Sequence, residues 1–323
     1  MVVAAAIGAA DLGVGRAFSI VWNAIFDSPS ADVPEWQRAV LLSVRLPRVA
    51  LAASTGAGLA TAGAVMQSLF RNPMADPGVI GVSSGAAFGA VLALYVGAAT
   101  ASTFVVPFAA FAGALGTAAL VYALATTRGR TPVTTLLLAG VAVSGIAAAL
   151  VSFVLSLSLA DWEVGRHMLG WLMGSLDGRS WSHVAMSAPV VVVGSVWLAT
   201  YARDLDALIT GEESALSVGV DVPRVKRALL ILSSLVTGAT VAVTGIVGFV
   251  GLMVPHIVRL ITGPRHALLV PASFLTGAIF VIWADVVCRV LPAADLRLGV
   301  VTALTGGPFF LWLLVRHQAR NRG

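Results

Sequence analysis

Residues Arg45 to Gly85 read RLPRVALAASTGAGLATAGAVMQSLFRNPMADPGVIGVSSG: a charged entry, an apolar span rich in small residues, then a stretch broken by proline and glycine. Few patterns constrain a fold more. A bilayer has no water to satisfy freed backbone amides and carbonyls, so a break between apolar spans is tolerated only against protein or a water-filled cavity. The setting this predicts is a translocation path, and the chain reads as a transporter subunit.

Composition extends the argument to the whole chain. Of 323 residues, 58% are hydrophobic and 11% charged, with a mean hydropathy of +0.94, which is the signature of a chain whose solvent is lipid. At roughly 20 residues per crossing, the expectation is an all-α integral membrane protein with about ten transmembrane helices. The spans are placed at 1–10, 46–69, 83–97, 104–126, 134–158, 184–201, 228–246, 247–262, 268–290 and 298–315, with short or broken helices near 72–97 and 247–262. No length remains for a soluble catalytic domain, so any energy source belongs to another chain. Met1 to Ala10 is too short to cross and lacks the positive start of a signal peptide, which suggests further residues upstream. The chain is read as one permease domain, 1–323, with repeat halves at about 46–158 and 228–315 and a cytoplasmic loop at about 204–227.

The one cysteine, Cys288, excludes an internal disulfide and reads as packing. The net charge of +5 comes from basic residues scattered between apolar spans, with no aromatic interleaving on a polar face, so no nucleic-acid partner is expected. These residues report topology instead. With the N-terminus inside, the cytoplasmic set is Arg71, Arg128, Arg130, Arg203, Arg224, Lys226, Arg227, Arg259, Arg265, Arg316, Arg320 and Arg322. Arg16, Arg38, Arg45, Arg48, Arg166, Arg179, Arg289 and Arg297 then fall outside. Eight outer arginines call for an explanation of their own.

Thr55 to Pro73 and Thr237 to Pro255 align without a gap, sharing Thr55/Thr237, Gly56/Gly238, Ala57/Ala239, Ala60/Ala242, Gly63/Gly245, Val65/Val247 and Pro73/Pro255. An odd number of spans between the two starts would make this an inverted repeat, a common transporter architecture; chance matching in Ala/Gly-rich sequence is the alternative. Gly56, Ala60 and Gly63 in one copy, and Gly245, Gly248 and Gly251 in the other, suit close helix packing or the lining of a path.

Chemical motifs are sparse. A phosphate-binding loop needs glycine before lysine, and the one lysine, Lys226, follows Val225. ATP is not hydrolysed here by that route. Gly81 to Gly85 spells G-x-S-x-G, but no histidine or carboxylate nearby in sequence would activate Ser83. His167, His183, His256, His266 and His317 show no metal-ligand spacing. A structural role is expected of them, His167 beside Arg166 being the one to test against an iron chelate. Asp204 to Arg227 is the longest polar interval; Thr210 and Glu213 have capping-box spacing, and Ala215, Leu216 and Val218 would project apolar groups before Gly219 ends the turn. The reading is a short docking helix, against an ordinary solvated loop.

Four blocks carry a family resemblance: RLPR…GAVMQSLFRNPMADPGVIGVSSGAAFG, GEESALSVGV, GFVGLMVPHIVRLITG and LGVVTALTGGPFFLWLL. In this order, over Arg45 to Val315, the chain resembles the FecCD-type permeases of iron-complex (ferric siderophore or haem) and cobalamin ABC importers. The resemblance implies a bacterial inner-membrane subunit that pairs with a second permease copy, two ATPase subunits and a periplasmic or lipid-anchored binding protein. It implies no cofactor in this chain, with ATP and Mg on the ATPase, and a bulky metal chelate as cargo, haem being favoured slightly and cobalamin the alternative. It further implies binding-protein docking by Arg45, Arg48 and Arg289, the last steadied by Asp285 one helical turn earlier. Coupling to the ATPase falls to Gly211, Glu212, Glu213, Ser214, Ala215, Leu216 and Gly219, and an inner gate to Val133 and Thr134, with Asn72 and Pro73 beside the path. Asp295-Leu296-Arg297 departs from the Glu-Leu-Pro usual at that point, which leaves the outer loop and Arg297 without a family role. An ion-coupled transporter is the competing class, but the spans at 46–69, 104–126 and 228–246 hold only Arg48 as an ionisable group.

Overall fold

A computed structural model describes residues 1–7, 13–26, 33–127, 131–158, 161–291 and 296–320. Its helices are α1 (Val2–Ala6), α2 (Val14–Phe26), α3 (Glu35–Ala39), α4 (Leu46–Leu69), α5 (Val82–Tyr95), α6 (Val105–Ala125), α7 (Val133–Leu157) and α8 (Trp162–Leu172). There follow α9 (Trp181–Thr200), α10 (Ala202–Thr210), α11 (Glu212–Ser217), α12 (Val222–Thr244), α13 (Val250–Thr262), α14 (His266–Val290) and α15 (Leu298–Arg320). Among the described residues, six apolar helices are long enough to cross a membrane, and shorter apolar ones include α2, α5 and α13.

Nine of the ten expected spans are present, with instructive differences; the one placed at 1–10 holds only the five-residue helix α1 among the described residues, too short to cross. The span placed at 46–69 runs unbroken from Glu35 to Leu69, because a π-helical turn at Val40–Arg45 joins α3 to α4. Helices α5 and α13 have 14 and 13 residues, about 20 Å at 1.5 Å per residue, against a hydrocarbon core of about 30 Å. Helix α12 begins at Val222 instead of 228, since Asp221 caps it by accepting from the Arg224 amide. Helices α2 and α8 were not anticipated as elements; α8 starts at Asp161, whose carboxylate accepts from the amides of Glu163 and Val164.

Helix α4 sits at the centre, buried along almost its whole length and packed by α9, α12, α13 and α14. A helix apolar on every side belongs in the middle of a bundle. Its approach to neighbours depends on glycine: a Cβ on Gly56 would lie 1.9 Å from the Gly277 carbonyl oxygen, and one on Gly63 would lie 1.9 Å from that of Gly251. Backbones therefore touch directly, which is how helices gain contact energy in lipid. Helices α6, α7 and α9 each bury one face and expose large apolar groups such as Leu124, Leu138, Phe153 and Val193 on the other.

The order long helix, break, short helix, long helix, long helix occurs twice, in α4–α7 and in α12–α15. The two runs are antiparallel, because Arg48 at the start of α4 reaches Asp177 while Thr244 at the end of α12 accepts from Ser175, two residues away from it. The gapless register of Thr55–Pro73 on Thr237–Pro255 is not kept. Helix α12 stops at Thr244 whereas α4 continues seven residues past the matching position, and Pro255 lies inside α13 while Pro73 lies in the break. The structure makes use of that proline: it has no N–H for the Gly251 carbonyl, and buried Gln67 supplies donors from Nε2 to the oxygens of Gly251 (3.2 Å) and Leu252 (2.9 Å).

Candidate functional site

At the outer end, the three arginines singled out by sequence all have internal partners. Helix α1 ends in carbonyls that no following turn satisfies. Arg45 Nη1 donates to the oxygens of Ala5 (3.1 Å) and Ala6 (2.9 Å), while Arg289 donates to those of Ile7 (2.7 Å) and Ala4 (2.9 Å). Two cations at a helix C-terminus also suit its dipole. Arg48 bridges Asp285 (Nε to Oδ1, 2.8 Å) and Asp177. Asp285, 1% exposed, is in turn 3.0 Å from Arg289 Nε, the pairing expected one helical turn away. Arg45 is 8% exposed and the Arg289 side chain 10%, with Arg45 bonded to α1 and Arg289 shared between α1 and Asp285.

Beside this network lies a cavity of about 560 Å³, lined by Arg166, His167, Trp171, Arg179, His183 and Arg297 among others. Its walls are the ends of α5, α6, α8 and α9 together with the turn at 173–180. Asp177 in that turn accepts from Ser175 Oγ (2.8 Å) and faces Arg297 at 3.5 Å. Burial works to raise its carboxyl, but Arg48, Ser175 and Arg297 outweigh burial and hold it below the usual carboxylate range. Arg179 meets His183 Nε2 at 3.2 Å, and burial pushes its guanidinium below the ordinary value. Sequence reasoning placed Arg166, Arg179 and Arg297 outside but missed Asp177, the carboxylate that pairs with Arg48 and Arg297. Its signal was faint, a lone acid in a Gly/Ser turn.

At the inner end, the polar interval forms two helices where one was expected. Gly211, at φ 130° and ψ 154°, separates α10 from α11, a conformation reserved for glycine. The capping box does not form: Gly211 is the N-cap, and Thr210 Oγ1 donates backwards to Ala207. Ala215 is fully buried, whereas Leu216 (55%) and Val218 (70%) are exposed, so only the latter two project as expected. Glu212 pairs with Lys226 of α12 at 2.5 Å, and Lys226 Nζ also donates to Thr131 just ahead of α7. Glu213, Ser214 and Gly211 line a small groove with Arg71, and Gly219 (φ 87°) closes α11 by donating to Leu216.

Asn72 is exposed and turns the chain by accepting from the Met74 amide, with Pro73 exposed beside it. Val133, half-buried, and Thr134, exposed, open α7 after Pro132. The break meets α7 further along, where a Cβ on Gly140 would lie 2.2 Å from the Val79 oxygen. The hydroxyl neighbours of Gly81–Gly85 are Thr117, which donates to the Gly81 oxygen, and Ser144, which accepts from Ser84. That is helix packing, without a histidine. Of the inner basic set, Arg128, Arg130 and Arg322 lie outside the described residues, as do the side chains of Arg316, His317 and Arg320; Asp295 also lies outside.

A membrane bundle with a broken central pair, a basic outer cavity and a two-helix inner loop is now defined. The FecCD transport family profile matches residues 1–316. The chain belongs to that family. It is 50% identical over 288 residues to the cobalamin import system permease protein of Halobacterium salinarum, covering 89% of this chain and 76% of that one. Identity to the hemin transport system permease protein of Yersinia pestis is 36%, covering 100% of this chain and 95% of that protein. For the Fe(3+) dicitrate permease FecD of Escherichia coli it is 39%, covering 92% and 91%. A solved structure described as an inward-facing metal-chelate type ABC transporter superposes with a TM-score of 0.82 at 32% identity, over 94% of this chain and 98% of that one. As a FecCD permease, the chain is a multi-pass membrane subunit of a transport system and not itself an enzyme.

Proposed function

We propose that this permease is the membrane-spanning part of an ATP-driven importer for a bulky metal chelate, with cobalamin as cargo. The observation that carries the choice of cargo is the 50% identity to a cobalamin import permease, against 36% and 39% for the haemin and ferric dicitrate relatives. The slight preference for haem drawn from the sequence gives way to it. In this reading two copies form the path in a cytoplasmic membrane, a binding protein delivers cargo outside, and two ATPase subunits bind ATP and Mg inside.

The outer face is the docking surface. Arg48, at 17% side-chain exposure, and the cavity arginines Arg166 and Arg179 offer planar donors to the carboxylates of a binding protein, which favours rapid and oriented encounter. Arg45 and Arg289 hold the frame beneath. At the inner face, Gly211 to Gly219 engages the ATPase, with Leu216 and Val218 as apolar contacts. Val133 and Thr134 form the inner gate, with Asn72 and Pro73 at its flank.

The test is uptake into proteoliposomes containing the permease, its ATPase and its binding protein. ATP-dependent accumulation of cyanocobalamin in preference to haemin or ferric citrate is expected. Preference for haemin would move the cargo; uptake driven by an ion gradient without ATP would overturn the importer reading.

A further inference from the structure

The buried polar groups at the inner end of α4 belong to none of the parts described so far. His266, fully buried at the start of α14, has both ring nitrogens engaged. Nδ1 lies 2.6 Å from Asp206 Oδ1 and Nε2 lies 2.5 Å from Ser68 Oγ. A carboxylate only accepts, so the proton on Nδ1 points to Asp206. Arg259 of α13 donates to the same Ser68 oxygen at 3.3 Å. Ser68, His266 and Asp206 have the outline of a hydrolytic triad, but the serine is 1% exposed and the histidine 0%, so no substrate reaches them.

The arrangement joins elements. Helix α14 has no side-chain cap of its own at Arg265, and its first amide, that of His266, donates instead to Asp206 of α10 at 3.0 Å. A helix N-terminus is thus capped across 60 residues of sequence by the helix that precedes the coupling segment. On the other side of Gly211, α11 is tied elsewhere, through Glu212 to Lys226 of α12 and the Thr131 carbonyl. The two ties flank a residue whose backbone only glycine adopts freely.

We propose that residues 202–217 act as two levers hinged at Gly211. Asp206, His266, Ser68 and Arg259 fasten α10 to α4, α13 and α14, while Glu212 fastens α11 to α12 and to the approach to α7. These are positioning residues: they carry a displacement of the loop along two routes, into α4, α13 and α14 and into α12 and the start of α7. The inference rests on the reading of 211–219 as the ATPase contact.

Two measurements test it. In the purified permease alone, Asp206→Ala is expected to speed hydrogen exchange of the α10 amides while leaving α11 unchanged; unchanged α10 protection overturns the tether. In proteoliposomes with ATPase and binding protein, the same variant should lower uptake per ATP hydrolysed by roughly tenfold, within the usual range of coupling between sites. Asp206→Asn, which keeps an oxygen to accept from His266, should retain most of the wild-type ratio. Uptake and hydrolysis falling together, with the ratio constant in both variants, would mean that the group serves stability only. If the wild-type complex moves no chelate, the importer reading fails, and the exchange measurement still decides the tether.

Discussion

Asp285 lies between two guanidinia at the outer end, and its 1% exposure means that its charge depends on them. Removing one partner of a buried pair leaves the other charge uncompensated. Arg48→Gln is therefore expected to destabilise the permease by about 2 kcal/mol, short of the full penalty because Arg289 still faces Asp285; a detergent melting curve unchanged from wild type would refute this. Asp177 supplies a pH dependence. Its carboxyl is held below the ordinary value, so its contribution is complete above the unfolded pKa of about 3.9 and is lost as pH falls through the lower folded value. Compared with Asp177→Asn, the wild type should melt higher at neutral pH, and the difference should vanish in that acid window. Sequence alone could nominate these arginines as unusual. It could not show that Arg45 and Arg289 hold α1, since their acceptors are backbone carbonyls, which every residue carries.

Among the elements, α4 and α13 show what small residues do. With the Gly63 hydrogen pointing at the Gly251 backbone, Gly63→Ala forces the two helices apart and is expected to cost about 3 kcal/mol, the upper part of the range for overpacking. Gly116→Ala, at a site with open space around it, should cost nothing measurable; equal losses for both would refute the argument. The long helices were legible from apolar run length, because a full crossing takes about 20 apolar residues. Their edges were not. The π turn at Val40–Arg45, the Asp161 cap that starts α8 and the backbone turn at Gly211 that divides the inner loop leave no mark on apolar run length. The gapless repeat illustrates the same limit: small residues recur at helical spacing wherever helices pack closely, so matched glycines need not be structurally equivalent ones.

For the molecule as a whole, the inner loop and the outer cavity lie at opposite ends of a buried central pair, α4 and α12. In the proposed importer the loop has to move helices, and replacing Glu212–Gly219 by a Gly/Ser linker is expected to abolish ATP-driven uptake while hydrolysis by the assembled complex continues. Retained uptake would place coupling elsewhere. The sequence by itself determined the solvent, the helical class, the broken segments, the lack of a phosphate-binding loop and, through four ordered blocks, the family. Those are properties of composition and local spacing, which the chain carries along its length. Only the tertiary structure decided which outer arginines are occupied, that Asp177 joins Arg48 and Arg297, and that Asp206 reaches His266. These depend on side chains up to 237 residues apart, as for Arg48 and Asp285, and a contact between residues so distant exists only once the backbone has packed.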